Sequence, residues 1–182
     1  MKKKIILLAS LCLIMVSAGY AQTKGSEPFP QFKGNDLNDR DLIYPNIAMG
    51  KYTVMGAVAS QDAVDGLLEW YQPIADNFAW DEEINTYFVV LMGGMAQNMS
   101  FSLQKKLKEV VLEEYYEKVI FFKGNLRNML EKIDIKDKSV PYFFVLDEKG
   151  KIAYMTSGKY SDQKLDEIVM AVDGEIYIDR ED

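Results

Sequence analysis

The sequence predicts an α/β fold, a mixed sheet with helices on both faces, and three observations carry that prediction. Continuous apolar runs, "YTVMGAVA" (52–59), "INTYFVVLMGG" (84–94) and "KVIFF" (118–122), have the length and the lack of alternation expected of strands covered on both faces. Stretches with apolar residues at helical spacing stand between them, so the chain alternates strand and helix. "PYFFVLDEKGKIAYMTSG" then supplies two apolar strands joined through "DEKGK", whose Gly150 suits a left-handed turn position. The resulting order is β-α-β-α-β-α-ββ-α, without internal repeats or low-complexity tracts.

Residues 1–21 are set apart from the fold. "MKKK" is a positive start, "IILLASLCLIMVSA" an apolar run, and "AGYA" a small-residue end, the pattern of a cleavable export signal. The apolar run is 14 residues, short of the ~20 that cross a bilayer, so the expectation is no stable membrane insertion once the signal is cut; an uncleaved anchor is the alternative. Residues 22–31, "QTKGSEPFPQ", read as a flexible lead-in, and 32–182 as one domain. In "FKGNDLNDRDLIYPNIAMGK", apolar Phe32, Leu37, Leu42 and Ile43 among turn residues predict a short hairpin and loop. Beyond the first buried strand, Ala63, Val64, Leu67, Leu68 and Tyr71 predict a helix over 60–78, which Pro73 should kink or interrupt. A second helix is expected over 102–116. Asn125 should cap a short third helix carrying Leu126, Met129, Leu130 and Ile133, and Ser161 a last one with Leu165, Ile168, Val169 and Val172 inward.

Composition narrows the chemistry. Removing the leader takes away three lysines and no acid, so the net charge moves from −7 to −10. A chain this acidic has no electrostatic reason to bind nucleic acid or an anionic membrane. Cys12, the single cysteine, lies inside the leader, and the sequence has no histidine. The expected product is periplasmic or secreted, and it has no thiolate, no Cys/His zinc site and no Ser-His-Asp triad.

Several segments resemble the thioredoxin-like superfamily over residues 32–173. "FKGNDLNDRD…MGKY" is similar to the N-terminal hairpin of its peroxiredoxin-like and membrane-anchored branches. "SVPYFFVLDEKGKI" resembles the segment that carries the superfamily's cis-proline, strand and hairpin, and "GKYSDQKLDEI" its terminal helix. Within the superfamily, "LLEWYQPI" paired with "SGKYSDQKLDEI" looks most similar to the mitochondrial ATP synthase assembly factor family and its secreted bacterial relatives. The resemblance places a Cys-x-x-Cys at 59–63, where this chain has Ala59, Ser60, Gln61, Asp62 and Ala63. A helix N-terminus can lower a thiol pKa toward neutrality, but a hydroxyl needs an adjacent base as well. Ser60 is therefore expected to cap the helix, and disulfide exchange by the processed chain alone is not expected.

The resemblance also makes Pro141, after Val140, the expected cis-proline. A groove between Ser60, Gln61 and Asp62 on one side and Val140 and Pro141 on the other could bind a protein or peptide through main-chain hydrogen bonds. The expectation is thus an exported, non-catalytic, protein-binding or assembly module without cofactor. The alternative is a copper carrier using Met92, Met95 and Met99, because thioethers favour Cu(I); methionines also commonly fill gaps in cores. The adjacent acids Glu82/Glu83 and Glu113/Glu114 read as solvated surface, since glycosidase chemistry needs carboxylates facing across a cleft.

Overall fold

The structure, a computed structural model, describes residues 28–92 and 97–179. Strands β1 (Phe32–Asp36) and β2 (Asp41–Tyr44) form the expected hairpin, followed by β3 (Tyr52–Val58). A 3-10 turn (Gln61–Ala63) leads into α1 (Val64–Phe78), and β4 (Ile84–Val90) and α2 (Gln97–Val110) come next. A second 3-10 turn (Glu113–Lys118) enters β5 (Val119–Lys123), and α3 (Leu126–Lys132), β6 (Tyr142–Leu146), β7 (Ile152–Ser157) and α4 (Asp162–Asp179) complete the order.

The strands make one seven-stranded sheet, ordered β2-β1-β5-β4-β3-β6-β7. β3, β4 and β5 are mutually parallel, as helical crossovers require, while β1 and β6 run antiparallel to their neighbours β5 and β3. The side chains of β3 and β6 are buried throughout, which explains why their sequences read as unbroken apolar runs. One face is covered by α3, with Met129, Leu130 and Ile133 against Met55, Val89 and Phe144. The other is covered by α1, α2 and α4, through Trp70, Ile74, Leu107 and Ile168. A doubly covered mixed sheet is the predicted fold class.

Four expectations need correction. The lead-in does not extend to residue 31: Phe29 is 3% exposed, edge-on to Tyr44 and Phe144, and its N–H donates to the Gly150 carbonyl at 2.8 Å. Pro73 sits inside α1, so of the expected kink or interruption the interruption does not occur, and its carbonyl accepts from the Asn77 side chain at 2.9 Å. The second helix covers 97–110 instead of 102–116, because Leu112 takes extended angles and Glu113 starts a separate turn. The cis X-Pro bond among the described residues is Tyr44–Pro45; Val140–Pro141 is trans, the form favoured by ~0.5–1 kcal/mol unless its surroundings oppose it. The leader (1–21) and residues 22–27 lie outside the described residues.

The Asn125 cap and the Gly150 turn are found as predicted. The Asn125 side chain accepts from the Asn128 N–H at 3.0 Å, and Gly150 has φ +75° in the turn between β6 and β7.

Candidate functional site

The junction after β3 and the loop before β6 meet because their strands are neighbours. Register Ala57↔Tyr142 brings Ala59 and Ser60 beside the residues that precede Tyr142. Ser60 is extended (φ −148°, ψ 164°) at the start of the 3-10 turn, the backbone shape of a cap residue, yet its side chain makes no capping bond. The hydroxyl instead donates to the Lys138 carbonyl at 2.6 Å. The expected cap is therefore a cross-loop tie: the hydroxyl satisfies a carbonyl 78 residues away that no strand pairs.

A second contact closes the same seam. Pro141 is buried, and a Cβ built on Gly66 in the first turn of α1 would stand 3.2 Å from its Cδ. Gly66 is what lets the proline ring reach the helix backbone. The Pro141 carbonyl accepts from Gly158 N–H at 2.9 Å, and the Gly158 carbonyl accepts from the Trp70 indole at 3.1 Å. Trp70 is fully buried and packs on Phe143 with ring centroids 4.3 Å apart. The loop thus rests on a buried aromatic and is tied to α1 and β7.

Local bonds also shape the loop. The Asp137 carboxylate accepts from Ser139 twice, from the hydroxyl at 2.6 Å and from the N–H at 2.9 Å, and these bonds hold its pKa below the usual value. The Asp137 N–H donates to the Tyr142 hydroxyl at 3.2 Å. Val140 is half-buried against the core. Gln61 and Asp62 are exposed. Ser60 is thus tied to the loop that carries Val140 and Pro141, and Pro141 to α1 at Gly66, while Gln61 and Asp62 stand exposed after Ser60.

This arrangement constrains the chemistry of Ser60. A general base takes the nucleophile's proton as attack occurs, and a main-chain carbonyl is far too weakly basic for that role. Beside the seam, Gln61 presents an exposed amide and Asp62 an exposed carboxylate. Met92, the first of the three candidate copper ligands, is half-buried and packs against the core under α1 and α2. Met95 and the side chain of Met99 lie outside the described residues. Among the described residues no cluster of three or more His, Cys, Asp or Glu could hold a metal ion, and no helix is long and apolar enough to cross a membrane.

The sequence reading missed Asp137, Lys138, Ser139, Gly66 and Trp70. "DKS" (137–139) carries the Asp-x-Ser pattern of a side chain folding onto its own backbone, and a glycine inside a helical pattern often marks a close approach. Both signals were available. Nothing local points to the Lys138 carbonyl as the partner of Ser60.

Comparison with known proteins bears on the family and the fold. The family model described as ATP10 protein matches residues 17–174. No curated protein sequence matches the chain. Among solved structures, the thioredoxin domain of a thiol-disulfide oxidoreductase from Bacteroides vulgatus is 18% identical, with TM-score 0.60, covering 80% of this chain and 96% of that one. Yeast Sco1 is 17% identical, with TM-score 0.56, covering 82% of this chain and 97% of that one. The exposed lipoprotein thioredoxin Etrx1 of Streptococcus pneumoniae is 13% identical, with TM-score 0.54, covering 76% of this chain and 99% of that one. At these identities the likeness establishes the thioredoxin-like fold and nothing finer.

Proposed function

Because this chain belongs to the ATP10 protein family and folds as a thioredoxin-like domain, we propose that it is an exported, non-catalytic module that binds a protein partner in an assembly role. The single observation that carries the non-catalytic part is the Ser60–Lys138 bond. At the junction where the resemblance places a reactive cysteine, this chain has a hydroxyl donating to a main-chain carbonyl at 2.6 Å. Such a bond ties two loops together and engages the hydroxyl with a group too weakly basic to activate it, which supports the reading. Export rests on the leader pattern of residues 1–21, and with it the periplasmic or secreted location. The family membership supports a protein partner, and Gln61 and Asp62 are the side chains that the seam offers it.

Two measurements test the proposal. Protein purified from the exported fraction should have Gln22 as its first residue by mass spectrometry, and should not accelerate insulin disulfide reduction. A partner recovered stoichiometrically with the wild-type chain should be lost from the Gln61→Ala, Asp62→Ala double variant. Catalytic turnover in the insulin assay, or a partner bound equally well by the double variant, would overturn the reading.

A further inference from the structure

Positive charge gathers in one place on this acidic chain. Lys33 of β1, Lys123 of β5 and Lys132 of α3 line a single open cavity of about 370 Å³, and no aspartate or glutamate lines it with them. From the α3 segment the cavity takes Asn125, Asn128 and Lys132, whose i, i+3, i+7 spacing is one stripe of a helix. Arg127 and Glu131 lie off that stripe and pair with each other at 3.0 Å, so the acid of α3 does not offset Lys132.

The fold gives no reason for this arrangement. Lys33 and Lys123 are directly opposite in the antiparallel β1–β5 register, and like charges so placed destabilise a strand pair. Lys123 is offset by Asp41, whose carboxylate accepts from its ammonium at 2.7 Å. Among the described residues, Lys33 and Lys132 make no ion pair and no side-chain hydrogen bond. Three cations less one acid leave two uncompensated positive charges at the cavity. A carboxylate would neutralise one of them, whereas a phosphate group carries about −1.5 to −2 at pH 7 and matches both.

We propose that this cavity binds a phosphate group, free or carried as a monoester, with Lys33 and Lys132 as its charge partners. Asn125 and Asn128 are exposed beside them, and Asn125, whose side-chain oxygen accepts from the Asn128 N–H, keeps its amide hydrogens to donate. An ammonium meets phosphate as a point charge, so flexible exposed lysines suit the task. The Phe122 ring also lines the cavity and offers an apolar contact to the organic part of a monoester; its place depends on Gly124, where a built Cβ would stand 2.7 Å from the ring. At ~0.1 M salt, exposed charges more than ~10 Å away are largely screened, so the net negative charge of the chain does not oppose binding here. The cavity shares no residue with the seam at Ser60 and Lys138, which makes this site independent of the partner-binding role.

Isothermal titration of the full chain as produced by its host, in phosphate-free buffer of low salt near neutral pH, tests this with phenyl phosphate, inorganic phosphate and benzoate as probes. One site per chain should take either phosphate and should bind benzoate about tenfold more weakly. Phenyl phosphate ahead of inorganic phosphate identifies a monoester; inorganic phosphate equal to it or ahead identifies the free ion. Lys33→Gln and Lys132→Gln should each weaken phosphate binding by about tenfold, whereas Lys149→Gln, which removes an exposed lysine outside the cavity, should leave it unchanged. Affinity should also fall as pH drops below ~6 and phosphate loses its second charge. Absence of saturable binding by both phosphates overturns the proposal. So does benzoate bound as tightly as phosphate, or an equal loss in Lys149→Gln and the two cavity variants.

Discussion

Gly66→Ala separates what helix propensity predicts from what the packing predicts. Alanine in place of glycine inside an exposed helix stabilises by ~0.5–1 kcal/mol. Gly174, in α4, is such a position, with nothing within 4 Å of its built Cβ, so Gly174→Ala should gain that amount. At Gly66 the new methyl would meet Pro141 Cδ at 3.2 Å and Cγ at 3.5 Å. The ring has little room to retreat, being buried and followed by a carbonyl bonded to Gly158. Overpacking against an atom that cannot move costs ~1–3 kcal/mol, so the helix gain is cancelled and the net effect is a loss of about 1 kcal/mol. With ~2–4 °C per kcal/mol for a domain of this size, Gly174→Ala should raise Tm by a few degrees and Gly66→Ala should lower it by a similar amount. Parallel calorimetry and urea titration of the two variants read the difference directly. If Gly66→Ala stabilises as much as Gly174→Ala, Pro141 does not press on α1.

Ser60→Ala should cost ~0.5–1 kcal/mol in urea unfolding, the low end for a hydrogen bond because water can reach the Lys138 carbonyl, and Ser60→Thr, which keeps the donor, should restore most of it. The two tryptophans should diverge: Trp70→Ala should lose ~3–5 kcal/mol, since Trp70 is fully buried and bonded to Gly158, whereas Trp80→Ala, 83% exposed, should change stability by less than ~0.5 kcal/mol. At high pH, burial pushes the Tyr87 hydroxyl up to about 12 with Glu117 adding to the shift, and burial followed by the bond to Glu167 does the same for Tyr154. A folded-state pKa above the unfolded ~10 means that both groups support folding below pH ~10 and lose that contribution as pH rises toward 12. Tyrosinate absorbance should therefore lag in the folded protein and appear with cooperative unfolding; a simple titration centred at pH ~10 for all tyrosines would refute this.

The strands were legible because burial on both faces leaves the same unbroken apolar signature whatever packs against them. β3 and β4 begin at Tyr52 and Ile84, where their runs begin. Asn125 was legible as a cap because its partner, Asn128, is three residues away. Failures came where the deciding partner is remote. Pro28 and Pro30 made residues 22–31 look like a lead-in, but Phe29 between them is anchored by Tyr44 and Phe144. The end of α2 was misplaced because apolar spacing continues into Tyr115 and Tyr116 although Leu112 has left the helix. Ser60 has the residue type and backbone of a cap; only the three-dimensional proximity of Lys138 sends its proton elsewhere.

The magnitudes explain why this junction can keep its shape without the chemistry that the resemblance places there. The start of a helix stabilises an anion by ~0.3–2 kcal/mol, which is about one pKa unit or a little more. That shift carries a thiol from ~8.5 toward neutrality and makes a thiolate available. Applied to a hydroxyl, an acid about as weak as water itself, it leaves the ionised fraction negligible at any pH at which the fold persists. The scaffold's electrostatic contribution is thus decisive for sulfur and irrelevant for oxygen. With Ser60 at the junction, the backbone geometry positions a hydroxyl tie to Lys138, a proline held against Gly66, and the exposed Gln61 and Asp62 beside them. Under the proposed protein-binding role, ties that restrain an exposed polar pair would lower the entropy lost when a partner orders those side chains.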